Sequence, residues 1–153
     1  MFPANCDAQI VGMVWQTHCR IGGKFMISLE VFEEYTMETA DSFPEVFFRE
    51  LNGGVMVRAG SPLHPAAEDH DLFILGEYHI DRYLGRFIVL YYGSFAQCYG
   101  GTCSEEEIQV QIRKVLLHEF RHHLESLAGE RDLEIEDAVN VSQYKAKKRQ
   151  EKT

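Results

Sequence analysis

The sequence predicts an α+β domain in which a small three-stranded sheet packs on one long helix, with further helices before and after it. Three observations carry this expectation. Segments 72–78 and 86–92 are dense in β-branched and aromatic residues, the composition of half-buried strands. The chain after Ser104 runs to Gly129 without proline or glycine, and its apolar residues recur at helical spacing. The elements read in the order α, α, β, β, β, α, α, which suits helices grouped against a sheet rather than a doubly wound fold.

Residues 1–25 show no clear period and close on Gly22 and Gly23, so they read as an N-terminal extension; Met26 opens the patterned part of the chain. From there Leu29, Phe32, Tyr35, Met37, Ala40, Phe43, Val46, Phe47 and Leu51 describe one or two amphipathic helices. Pro44 suits the first turn of the second, with Asp41 or Ser42 as its cap. Asn52-Gly53-Gly54 is a turn, followed by a short strand over 55–58. The stretch 60–71 holds two prolines and several turn formers and reads as a loop. Gly85 and the polar residues before it separate the two main strands, and 93–103 is expected to be a loop.

Ser104 followed by Glu107 is a capping box, with each residue able to satisfy the other's amide. Ile108, Ile112, Val115, Leu116, Phe120, Leu124 and Leu127 then mark the buried face of the helix, and Gly129 suits its end. Segment 132–137 begins an acidic final helix. Lys145, Lys147, Lys148, Arg149 and Lys152 give residues 142–153 the look of a basic, solvated tail. The expected division is therefore an extension over 1–25, one domain over 26–141 and a tail over 142–153.

A formal net charge of −9 argues against nucleic acid as a partner, because phosphate binding needs a basic footprint. No run approaches the roughly 18 apolar residues of a membrane span. Residues 1–20 lack the basic region and apolar core of a signal peptide. A cytoplasmic location is expected, with Cys6, Cys19, Cys98 and Cys103 as free thiols. Cys6 with His18 and Cys19 is a faint metal constellation. His64, Asp69, His70 and Asp71 form another, although turn-rich loops commonly carry such residues unliganded.

The strongest chemical signal is His118-Glu119-Phe120-Arg121-His122, an HExxH sequence in mid-helix. Residues four apart share a helix face, so both imidazoles can meet one metal ion. Glu119 sits beside them, placed to take a proton from water rather than to act as a ligand. Zn2+ is the expected ion: it lowers the pKa of bound water and leaves a position open for it. His123 and Arg121 flank the motif and read mainly as packing and surface residues. Glu125 is too far along the helix for the same ion. Tyr91 and Tyr92 end a strand suited to line a cleft, with at least one expected in the core.

These features together resemble the minimal matrix-metalloprotease-like zincins, a group of small bacterial proteins. The resemblance spans 26–137 and rests on His118-Glu119-x-x-His122-His123, on Gly129-x-x-Asp132, and on Leu75-Gly76-x-Tyr78. It implies a zincin-like fold and a zinc-dependent metallopeptidase that cleaves a peptide or protein substrate, with Glu119 as general base. The chain departs from the family pattern in one place. Gly129 lies seven residues past His122 and Asp132 ten, an insertion of four residues worth about 6 Å of helix. Asp132 is the third ligand by motif, with Glu134, Glu136 and Asp137 as alternatives and Glu136 favoured by reach. Two other readings stand beside the peptidase: a zincin-fold binding or scaffold protein with little hydrolysis, and a metal-dependent hydrolase acting on something other than peptides.

Overall fold

The computed structural model describes residues 9–11, 14–16, 27–70, 72–100, 103–129 and 132–152, with side chains over 27–70, 72–100, 103–129 and 137–152. The described residues form an α+β fold, with four helices and a three-stranded mixed sheet at its centre.

Helix α1 (Leu29–Asp41) starts at Ser28, whose hydroxyl accepts from the Val31 amide at 3.2 Å. Phe32, Thr36 and Ala40, four residues apart, form its buried stripe. The expected second helix is a single 3-10 turn, Glu45–Phe48. Pro44 precedes it and Arg49 leaves it in an extended conformation, so there is no room for a longer helix.

The central sheet has strand order β3-β6-β5, from β3 (Gly54–Arg58), β6 (Gly85–Tyr91) and β5 (Gly76–Asp81). β3 runs parallel to β6, with Gly54 opposite Phe87 and Arg58 opposite Tyr91. β5 runs antiparallel to β6, with Gly76 opposite Leu90. Phe87, Ile88, Val89 and Leu90 are all buried, as befits a central strand covered on both faces. At the β5–β6 turn Asp81 accepts from the Tyr83 and Leu84 amides at 2.7 and 2.8 Å, and Gly85 takes a φ of +75°.

The expected strand over 72–78 divides in two. β4 (Leu72–Ile74) leaves the central sheet and pairs with β2 (Val14–Gln16), which in turn pairs with β1 (Gln9–Val11). Two strands thus fall within the segment read as an extension. Leu75, wholly buried, is the crossing point, and its carbonyl still accepts from the Tyr91 amide at 2.9 Å.

The segment 93–103, read as a loop, holds all but the first residue of helix α2 (Tyr92–Tyr99). Gly93 and Ser94 look like breakers, but a Cβ at Gly93 would stand 2.6 Å from the carbonyl oxygens of Ala59 and Gly60. Glycine is there for close backbone approach. Phe95 and Tyr99, one turn apart, fill the core, with Phe95 edge-on to Phe32 at 4.9 Å.

Helix α3 (Glu105–Ala128) has the expected capping box, and Gly129 ends it with a φ of +76°. Ile108, Ile112, Val115, Leu116 and Phe120 face the core. Phe43, Phe47 and Phe48 close around the Phe120 ring at 5.5, 5.8 and 5.0 Å. Helix α4 (Asp132–Glu151) follows and includes most of the stretch read as a basic tail. Its Tyr144 joins Leu72 and Ile74 in a second, smaller core.

Candidate metal centre

α3 carries His118, Glu119 and His122 on the stretch of helix that lies against β5. Gly76 makes this close approach possible. A Cβ there would meet Val115 Cγ1 at 2.7 Å and Glu119 Cγ at 3.3 Å. The Leu75-Gly76-x-Tyr78 pattern therefore has a packing cause.

The two imidazoles stand edge to face with ring centroids 4.9 Å apart. α4 brings Asp137 to them: its Oδ2 lies 2.9 Å from His122 Nε2 and 3.6 Å from His118 Nε2. One donor atom from each of the three residues lies within 4.8 Å of the others. Asp137 is one of the four acids the sequence left open. Asp132 is the first residue of α4, and its side chain, like those of Glu134 and Glu136, lies outside the described residues.

The three donors suit a divalent ion that accepts nitrogen and oxygen ligands. Two observations support that fit. His118 Nε2 is buried without a hydrogen-bond partner. Both carboxylate oxygens of Glu119, a residue with 0% exposure, are also buried and bare. Buried polar atoms are ordinarily paired, so three orphans at one place point to something missing from the protein itself. Burial holds the Glu119 carboxyl well above the usual carboxylate range, and the nearby charges of Asp137 and Glu77 push it further up. The Tyr78 amide pulls the other way without completing a hydrogen bond. Burial also pushes Asp137 up, but its contacts with His118 and His122 outweigh that and leave it below its ordinary value.

Behind the motif, His123 is wholly buried and has a defined job. Its Nε2–H donates to the Arg49 carbonyl at 2.8 Å, leaving Nδ1 to accept from the Tyr78 hydroxyl at 3.0 Å. Arg86 donates to Tyr78 Oη at 2.8 Å and to Ser126 Oγ at 2.7 Å. Burial lowers the His123 pKa, which keeps the ring neutral as this pattern requires. This chain of bonds fastens α3 to β5 and β6, and periodicity gave no sign of it. Only the unusual second histidine at 123 was visible.

The remaining candidates part from the centre. Arg121 is exposed and pairs with Glu125 at 3.1 Å. Tyr91 donates to Glu77 at 3.0 Å, and burial together with that carboxylate pushes its pKa up to about 12. Tyr92 donates to the Ile27 carbonyl and packs on Phe32, a core role. His64 Nδ1 accepts from the Ala66 amide and Asp69 pairs with Lys148, so these two loop residues are engaged elsewhere. His70 belongs to no metal-binding group among the described residues. Asp71, Cys6, His18 and Cys19 lie outside the described residues. Cys98 and Cys103 carry thiols and are not joined in a disulfide. No described helix is long and apolar enough to cross a membrane.

No protein-family model and no curated protein matches this sequence. Among solved structures, the chain is similar to one described as a conserved hypothetical protein from Thermo thermophilus. The two share 36% identity with a TM-score of 0.55, over 67% of this chain and 98% of the other. At that identity, and with nearly the whole of the other protein covered, the chain belongs to the same family as that conserved hypothetical protein.

Proposed function

We propose that this protein is a zinc-dependent peptidase with a zincin-like site, in which His118, His122 and Asp137 hold the ion and Glu119 is the general base. The observation that carries the reading is the meeting of three metal-binding donors from two helices beside a buried carboxylate with no partner of its own. Zinc bound there supplies Lewis acidity, which makes water acidic near neutral pH and polarises a carbonyl.

The chain's own residues do the rest. Glu119, beside both histidines and shielded from bulk solvent, accepts the proton of the attacking water and returns it to the departing amine. Its burial means that no competing hydrogen bond has to be broken first. The His123–Tyr78–Arg86 bonds hold α3 in one rotation against β5, so that Glu119 and the two ligands keep a common orientation. Among the described residues β5 stands at an edge of the central sheet, the kind of strand with which an extended peptide can pair.

The test is elemental analysis of the purified protein together with cleavage of a mixed peptide library read by mass spectrometry. About one zinc per chain is expected. His118→Ala should lose the metal, and Glu119→Gln should keep it while losing turnover by at least a hundredfold. Metal retained without any cleavage by the parent protein would favour the scaffold reading. Full activity in Glu119→Gln would reject the mechanism.

A further inference from the structure

Asp137, Val141, Tyr144 and Lys148 follow at steps of four, three and four residues and so form one stripe along α4. Its N-terminal end meets His118 and His122. Farther along, Tyr144 is 2% exposed among Leu72 and Ile74, and its hydroxyl accepts from the Glu68 amide at 3.1 Å. Lys148 is 8% exposed, with Nζ 2.7 Å from Asp69 Oδ2. Glu68 and Asp69 belong to the 60–71 loop. The same face that delivers Asp137 to the histidines is therefore pinned, two and three turns away, to a loop none of whose described residues belongs to the centre.

We propose that Tyr144 and Lys148, held by Glu68 and Asp69, are positioning residues that set where Asp137 stands relative to His118 and His122. This rests on the metal-centre reading above. Asp137 and Lys148 are eleven residues apart, about 16 Å along a stiff helix. A tilt of about 4° over that length displaces the carboxylate by about 1 Å. Metal–ligand distances tolerate only about 0.2 Å, and an aspartate side chain is too short to make up the difference. Lys148 is buried but Asp69 is exposed, and an ion pair with one solvent-facing partner adds little to stability alone. What such a pair does supply is a fixed direction and register, which a hydrophobic contact would not.

The experiment uses the full chain with Asp69→Lys, Lys148→Asp, the double exchange and Tyr144→Phe. Zinc affinity is measured by competition with a chromophoric chelator. The ring nitrogen signals of His122 are followed by NMR in the metal-free proteins. Each single exchange should weaken zinc binding about tenfold or more, the loss seen when residues that orient ligands are removed. It should also move the His122 signals as Asp137→Asn does, and the double exchange should reverse both changes. Lower thermal stability with unchanged affinity and unchanged His122 signals would overturn the proposal. Should the charge exchanges fail to fold, Tyr144→Phe keeps the ring and removes one bond; a shift in affinity or in His122 signals supports the proposal, and neither overturns it. If the parent protein takes up no zinc, the metal-centre reading fails, and the His122 signals alone decide whether α4 is positioned from its far end.

Discussion

At the scale of single residues, Gly76 shows how a position without a side chain shapes chemistry. Its missing Cβ lets Val115 and Glu119 approach the β5 backbone. Gly76→Ala should destabilise the protein by about 1–3 kcal/mol through overpacking, read by urea unfolding. It should also displace Glu119, so activity should fall more than stability explains. His64 provides a test in pH. Burial, and then the charge of Lys145, lowers its pKa, while Glu77 opposes them. The unfolded chain therefore takes up a proton near the ordinary value of 6.5 before the folded protein does, and stability drops as pH falls from there through the lowered folded value. Above 6.5 the contribution is fully present. His64→Gln, whose side-chain oxygen can still accept from the Ala66 amide, should flatten the fall in melting temperature between about pH 7 and 5.

At the scale of elements, α3 has its ends specified locally and its rotation specified remotely. Ser104 Oγ accepts from the Glu107 amide at 3.2 Å while the Glu107 carboxylate accepts from the Ser104 amide at 2.9 Å. Ser104→Ala should cost about 1 kcal/mol and leave zinc affinity unchanged, because the cap lies more than three turns from His118. Thermal unfolding with and without zinc would check both halves of that statement. The rotation of the helix about its axis comes instead from the aromatic cage around Phe120 and from the His123 network. α1 contributes Tyr35, whose hydroxyl donates to Glu105 at 3.0 Å, and Phe43, two residues past its end, lies under the Arg113 guanidinium at 5.0 Å.

At the scale of the whole molecule, the candidate centre joins parts of the chain that have little else in common. α3 belongs to the main core, while α4 packs on the second core of Leu72, Ile74 and Tyr144. A metal held between them should act as a cross-link that favours the folded state. With zinc at about a hundred times its dissociation constant, the gain is about 2.7 kcal/mol. For a chain of this length, that corresponds to a rise in melting temperature of roughly 5–10 °C. Differential scanning calorimetry should show the rise, and a chelator should reverse it. Asp137→Asn should reduce it much more than Ser104→Ala does.

Features that depend on neighbours along the chain were legible in the order of amino acids alone. The α+β class, the capped helix over 105–128, its glycine stop and the pairing of His118 with His122 all follow from periodicity and local hydrogen bonding. Such interactions span three or four residues, so their spacing is written directly into the chain. Where the signal was ambiguous, tertiary contact decided. Gly93 and Ser94 read as a loop, yet they lie in the first turn of α2, where Gly93 comes close to the Ala59 and Gly60 carbonyls. The strand over 72–78 read as continuous, yet Leu75 divides it between two sheets because its two halves find different partners. Lys148 read as part of a solvated tail because its partner, Asp69, lies far away in the sequence. The third donor is the clearest case. The sequence left four acids after Gly129 open without singling out Asp137, and the folded chain, with α4 docked on the 60–71 loop and β4, brings that residue's carboxylate to the histidines. A helix carries its spacing with it, but which way it faces and where it lies depend on surfaces that only the folded chain brings together.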